Sequence, residues 1–251
     1  MGKAVLYDSF MAKEDFIKLP RLYVDHELSD GGEIELSPPQ THYLRNVLRR
    51  GTADDVRVFN GRDGEWLAAL DFGKKSVTAR LRDHLKLQPP EKTETHLLFA
   101  PIKKDAMDFL IEKAVELGVT HLHPVLTQNT EVRRVNEDRV RTQIIEAAEQ
   151  CERLTIPTLA AITSLSDIGS RWNSEINLYA CIERRAANPL TGPFSKKTAF
   201  LIGPEGGFTE EEKEKLGKLK FVVPVNLGES ILRAETAALL CLSARKLSDI
   251  R

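Results

Sequence analysis

Between Arg21 and Asp83 apolar and polar residues alternate in short runs, the period-two pattern of half-buried strands. The runs Arg21–Asp25, Glu33–Ser37, Val56–Asn60, Glu65–Asp71 and Ser76–Arg82 are separated by turn-forming Asp30-Gly31-Gly32, Asn60-Gly61 and Phe72-Gly73-Lys74. One segment breaks the pattern. Gln40–Arg49 carries Tyr43, Leu44, Val47 and Leu48 at helical spacing. Several short strands and one helix predict a small β-barrel over residues 21–88. Residues 1–20 show no periodicity and read as an N-terminal extension. After the linker Gln88-Pro89-Pro90-Glu91-Lys92 the pattern changes. Strands at His96–Ala100, His121–Pro124, Ile176–Cys181, Ala199–Ile202 and Phe221–Val225 alternate with helices at Asp105–Leu117, Glu137–Gln150, Thr209–Leu219 and Thr236–Leu247. Such alternation predicts an α/β domain over 93–251 with a largely parallel sheet covered by helices.

Composition narrows the class without naming an activity. The 251 residues are 41% hydrophobic and 29% charged, as in soluble globular proteins, and suffice for one large or two modest domains. No apolar run is long enough to cross a bilayer, and the first twenty residues lack the core of a secretory signal. Cys151, Cys181 and Cys241 are odd in number and widely spaced, which argues against disulfides or zinc and for a reducing cytoplasm. His121 and His123 flank a strand, but no third ligand has metal spacing, so no metal is expected. A net charge of −1 lacks the basic footprint of a nucleic-acid binder. Any RNA contact must come from a local patch, and Arg45, Arg49, Arg50, Arg57 and Arg62 form the candidate; a solvated surface is the competing reading.

The strongest chemical signal lies between Phe200 and Ala237. Gly203-Pro204-Glu205-Gly206-Gly207 follows the apolar run ending at Leu201-Ile202, and Leu227-Gly228-Glu229-Ser230-Ile231-Leu232-Arg233-Ala234-Glu235-Thr236-Ala237 follows Phe221–Val225. Both therefore read as loops at carboxyl ends of buried strands, where open α/β sheets bind ligands. Glycine lets backbone approach a ligand closely, and Pro204 stiffens the turn. Neither a dinucleotide fingerprint nor a phosphate-binding Gly-Lys-Ser/Thr loop is present. One such glycine turn is commonly structural; two at strand ends of one sheet point to a small-molecule pocket.

These two blocks resemble the cofactor loops of the SPOUT methyltransferases, and most of the chain is similar to the RsmE-type family within that class. Arg21–Val24, His42–Arg49, Lys113–Val119 and Glu149–Arg153 carry the resemblance in the same order. It implies a PUA-like RNA-binding module followed by a trefoil-knotted domain that dimerises and shares residues across the interface. The implied reaction is transfer of a methyl group from S-adenosylmethionine to N3 of a uridine in 16S ribosomal RNA, with the RNA or the small ribosomal subunit as partner. The cofactor contacts implied are Leu201, Ile202, Gly203, Pro204, Glu205, Gly206, Gly207, Leu227, Gly228, Ile231, Leu232, Arg233, Glu235, Thr236 and Ala237. The RNA contacts implied are Arg21, His42, Arg45, Arg49, Arg50 and Arg153.

Methylation at N3 requires loss of an imide proton and stabilisation of the resulting anion. Arg233 offers a fork of donors to the uracil oxygens. Glu205 is the carboxylate in reach as general base, and a site relying on Arg233 and water is the alternative. Glu235 is read as a capping or loop-holding residue. Three departures from the family pattern stand out: Glu152 replaces a usual glycine, Asn129 stands where arginine is frequent, and Glu229-Ser230 where a basic residue is. The competing function is a non-catalytic RNA-binding assembly factor on the same fold, which has no need of both intact loops.

Overall fold

A computed structural model describes residues 16–90, 93–182 and 187–250. Most of the predicted extension, and Glu91 and Lys92 of the linker, lie outside the described residues. The chain divides between Pro89 and Pro90 into two compact units.

In the first unit, β1 (Arg21–Tyr23), β2 (Glu33–Glu35), β3 (Asp55–Phe59), β4 (Glu65–Phe72) and β5 (Val77–Lys86) form one five-stranded sheet in the order β1-β3-β4-β5-β2. Only β1 and β3 pair in parallel. The sheet curls around Leu22, Ile34, Val56, Val58, Ala68, Leu70, Ala79 and Leu81, the inward half of the alternation seen in the sequence. Register shifts on β4 next to Trp66 and Leu67 help it bend.

The helical insert has an unforeseen geometry. Helix α1 (Pro38–His42) starts two residues early, because Ser37 and Gln40 form a capping box and Pro38-Pro39 occupy the first turn. It then widens into a π-helical turn over Tyr43–Val47, closed by Leu48 N–H donating to Tyr43 C=O at 2.9 Å, and ends at Arg49 with φ +53°. Leu44 faces the core, while Tyr43 and Val47 are exposed.

The second unit contains β6 (Glu94–Phe99), α2 (Lys104–Glu116), β7 (His121–Leu126), α3 (Glu137–Gln150), β8 (Thr158–Leu159), β9 (Thr163–Ser164), α4 (Ile168–Arg171), β10 (Leu178–Ala180), β11 (Asn188–Pro189), β12 (Lys197–Ile202), α5 (Glu210–Gly217), β13 (Val222–Asn226) and α6 (Ala234–Asp249). Strand order is β11-β13-β10-β12-β6-β7-β8, with β9 also on β7, and every pairing is parallel. All carboxyl ends thus emerge on one edge.

Leu98, Leu178, Ala180, Ala199 and Leu201 pack one face of this sheet against Leu165, Ile168, Phe208 and Leu216. Leu97, Phe99, Leu122, Phe200 and Ile202 alternate to the opposite face and are equally buried. Helix α2 packs against α3 and α6. Helix α3 spans the residues its pattern predicted: Asn136 accepts from Arg139 N–H at the start, and Val140, Ile144, Ala147 and Ala148 form the buried stripe.

Candidate active site

Connections leave β6 and β12 in opposite directions, β6 toward β7 and β12 past β10 to β13. The gap between their carboxyl ends is therefore a topological switch point, where such sheets bind ligands. The two loops marked by the sequence are not on neighbouring strands, because β10 runs between β12 and β13. The end of β10, Ala180-Cys181-Ile182, thus lies between the two loop-bearing strand ends, a placement the motif pattern missed. Cys181 N–H donates to Leu201 C=O at 3.1 Å and ties that end to β12.

The first loop is a tight, tethered turn. Gly207 N–H donates to Pro204 C=O at 2.8 Å, and Gly207 has φ +67°, a conformation glycine adopts freely. A Cβ on Gly203 would stand 2.8 Å from the Phe208 ring, so that glycine serves packing. A Cβ on Gly206 would stand 3.2 Å from Asn129 Cβ. Asn129 Nδ2 donates to the carbonyls of Gly206 and Gly207 at 3.0 and 3.1 Å. Its neighbour Gln128 donates its N–H to Glu212 Oε1 at 2.8 Å, and the other Glu212 oxygen caps α5 by accepting from Thr209 N–H. The residue that breaks the family's arginine pattern is here a brace for the glycine loop.

Leu201, Ile202 and Pro204 are buried and build the floor; Glu205 and Gly206 are exposed at the tip. In the second loop Gly228 has φ +105°, and nothing stands within 4 Å of a Cβ built there, leaving space in front of its backbone. Leu227 and Leu232 are half-buried, Ile231 is exposed, and Ala237 is buried against the sheet. Arg233 occupies the N-cap of α6 without a side-chain cap bond. It is exposed and lines a cavity of about 690 Å³ with Glu235, Thr236, Lys103, Lys104, Asp105, Ala106 and Phe109. This cavity brings together the predicted Arg233, Glu235 and Thr236, and adds two lysines at the open start of α2 that sequence reasoning did not select. Glu205 is not among its lining residues.

Three of the expected RNA contacts, Arg21, Arg45 and Arg153, and Arg57 of the candidate patch have partners inside the protein. Arg21 is buried: its guanidinium lies 3.6 Å from the centre of the Phe59 ring, and Nε reaches the fully buried Glu65 at 2.5 Å. Arg57 joins the same carboxylate at 3.8 Å and is also buried. Arg45 donates to the carbonyls of Gly73 and Lys74 at 2.8 and 3.2 Å, which fixes the β4–β5 turn. Arg153 Nη1 donates to Val115 and Val119 carbonyls at 2.8 and 2.9 Å, bracing the end of α2 rather than facing solvent. His42 and Arg49 are exposed, Arg50 is half-buried, and Arg62 lies 3.6 Å from Asp25. Glu152 has φ +58° just past α3, the left-handed geometry that glycine commonly supplies there. The turn that presents Arg153 is therefore kept despite the substitution.

At the amino edge of the sheet, His96, His121 and His123 stack on one another, with ring centres of His96 and His121 4.2 Å apart. His96 Nδ1 and His123 Nε2 lie in hydrogen-bond contact at 3.0 Å, and Trp172 meets both rings edge-on. Burial, followed by the neighbouring imidazoles, lowers both His96 and His123 to about 4. Among the described residues no cluster has the make-up of a metal site, and no helix is long and apolar enough to cross a membrane.

An α/β unit with a glycine-looped carboxyl edge, joined to a curled β module, defines the class: residues 89–246 match the RNA methyltransferase domain, and 36–82 match the RNA methyltransferase PUA domain. Within that class the chain belongs to the ribosomal RNA small subunit methyltransferase E family. It is 37% identical over 237 residues to the enzyme of that name from Rickettsia conorii, covering 92% of this chain and 96% of that one. The Synechocystis enzyme of the same name is 30% identical, covering 92% and 78%. A crystal structure of the Neisseria gonorrhoeae enzyme bound to S-adenosylmethionine superposes with a TM-score of 0.79 at 30% identity, covering 91% and 97%. The SPOUT-type parallel sheet and the PUA-like module expected from the motifs are both present.

Proposed function

We propose that this protein transfers a methyl group from S-adenosylmethionine to N3 of a uridine in small-subunit ribosomal RNA. The observation that carries the reading is Arg233. It is an exposed guanidinium with no protein partner among the described residues, at a cavity on the carboxyl edge beside the Gly228 loop.

The residues present fit the cofactor. Gly207 and Gly228 adopt backbone conformations that bring main-chain groups to the edge, and open space faces Gly228. Gly203–Gly207, Leu227–Leu232 and the end of β10 would hold it, and when bound it supplies an electrophilic methyl on a sulfonium. Arg233, helped by Lys103 and Lys104, stabilises the charge that gathers on the uracil oxygens as N3 loses its proton. Glu205 or a water accepts that proton; Glu205 is exposed at the loop tip and is not among the residues lining the Arg233 cavity.

The first unit is read as the RNA-binding domain, with His42, Arg49 and Arg50, and the exposed Tyr43 beside them, as its contacts. Exposed Leu240 and Leu247 on α6 and Ile250 just past it, with Phe109 on α2, support a homodimer through that side of the second unit. The trefoil knot remains part of this reading as an expectation of the family. The assembly-factor alternative has no use for the unpaired Arg233. Mass analysis of 16S ribosomal RNA from a deletion strain tests the function: one N3-methyluridine is lost and returns with the gene. An unchanged RNA would refute it.

A further inference from the structure

Cys181 and Cys241 are sixty residues apart in sequence, yet their sulfurs lie 3.6 Å apart. One thiol follows β10, at the strand end between the two glycine loops; the other is on the inner face of α6. We propose that this pair is a modification site for hydroperoxides, closing to an intramolecular disulfide that ties the end of β10 to α6.

The two thiols have unequal surroundings. Cys241 is buried, and its contact with Cys181, followed by burial, raises its thiol well above the usual range, so it keeps its proton. Cys181 is half-buried, which makes it the sulfur that a small oxidant reaches. Its thiolate attacks one peroxide oxygen, the O–O bond breaks, and the other oxygen leaves as water once protonated, giving a sulfenic acid at Cys181. Cys241 sulfur then attacks the Cys181 sulfur. The S–O bond breaks, the Cys241 proton leaves with the hydroxyl as a second water, and the S–S bond forms. In sum, two thiols and one hydrogen peroxide give one disulfide and two waters. Closure needs an approach of only about 1.5 Å, from 3.6 Å to a disulfide bond of roughly 2.05 Å. A resolving thiol already in contact favours the disulfide over further oxidation.

The test treats the full-length protein with hydrogen peroxide and reads intact mass, free thiols and non-reduced peptide linkage. The expected result is a loss of about 2 Da, two of three thiols consumed, and a single cross-link between the Cys181 and Cys241 peptides, reversed by dithiothreitol. Cys151→Ser leaves the cross-link intact. Cys241→Ala converts the product to a sulfenic acid trapped by dimedone at Cys181; should that variant not fold, Cys181→Ser must abolish the intramolecular cross-link. Oxidation of the wild-type protein at Cys151 alone, a cross-link between chains, or equal sulfenic acid yield with and without Cys241 would overturn the proposal. These readouts do not depend on what the adjoining loops bind.

Discussion

Two arginine environments, one in each unit, use charge in opposite ways. In the first, Arg21 and Arg57 converge on the fully buried Glu65, with Lys86 Nζ 3.2 Å from its other oxygen, and Arg45 is bound to turn carbonyls. Those cations hold the sheet together. In the second, Arg233 stands at a cavity with no protein partner among the described residues, and the Gly206-Gly207 loop is held by an amide, Asn129, not by a charge. A buried cation whose donors are already engaged cannot bind a substrate, whereas an unpaired one at a strand edge is available for charge that develops during reaction. Whether its donors are already engaged inside the protein, not residue type, separates structural arginines from functional ones.

The largest effect should come from breaking the buried cluster. Glu65→Gln removes the buried carboxylate on which Arg21 and Arg57 converge, and losses of about 3–5 kcal/mol follow the removal of one partner of a buried ion pair. Urea unfolding read from Trp66, in a Trp172→Phe background, should show the first unit's transition moving to lower denaturant; an unmoved midpoint would mean the cluster is dispensable. At the other pole, Arg233→Ala should slow single-turnover methylation by roughly two to three orders of magnitude with little change in S-adenosylmethionine affinity. Equal losses of rate and affinity would make Arg233 a wall of the cofactor pocket instead.

The histidine stack sharpens the contrast, because it buries titratable groups without a full counter-charge. Folded His96 and His123 titrate near 4, below an unfolded value near 6.5, so the unfolded chain binds more protons between those limits. Stability should be unaffected above pH 6.5 and fall as pH drops from 6.5 toward 4, by up to about 3 kcal/mol for the first imidazole. Glu94, 3.5 Å from His96 Nε2, opposes the loss, while His121 and Lys197 add to it. Trp172 fluorescence during denaturation at pH 7 and pH 4.5 should report it, and an equal loss at Trp66 would place the effect elsewhere. The smallest change expected is a gain: Glu152→Gly relieves a left-handed backbone and should stabilise the second unit by about 1 kcal/mol. A loss on thermal unfolding would show that the Glu152 side chain contributes more than its backbone costs.

Local patterns made most elements legible. Helix α3 was readable to the residue because Asn136, the acidic first turn and the Val140–Ile144–Ala147 stripe all agree. The strands of the second unit were found by their apolar runs, apart from two-residue β8, β9 and β11, which are too short to carry a period. Strand order was not legible: nothing in the loop motifs says that β10 separates them, since pairing is a long-range outcome. The same limit explains Arg21 and Arg57, whose burial depends on a glutamate that arrives from β4. The π-turn escaped notice because residues 43–48 satisfy a helical period whether the hydrogen bond spans four residues or five. Lys103 and Lys104 became visible only once α2 was set beside the start of α6.

The Asn129 brace also bears on how fast and how cheaply the site fills. Ordering a residue costs about 1–2 kcal/mol of chain entropy, and glycine loses the most freedom. Two hydrogen bonds of about 1 kcal/mol each, from a single side chain, offset much of that cost for Gly206 and Gly207 before any ligand arrives. A ligand then meets a loop that is already shaped, so association should be limited by encounter instead of by a folding step. An arginine at position 129 would hold its charge elsewhere and leave the loop to be ordered by what it binds, which shifts the same affinity from a fast, entropically light association to a slower and more enthalpic one.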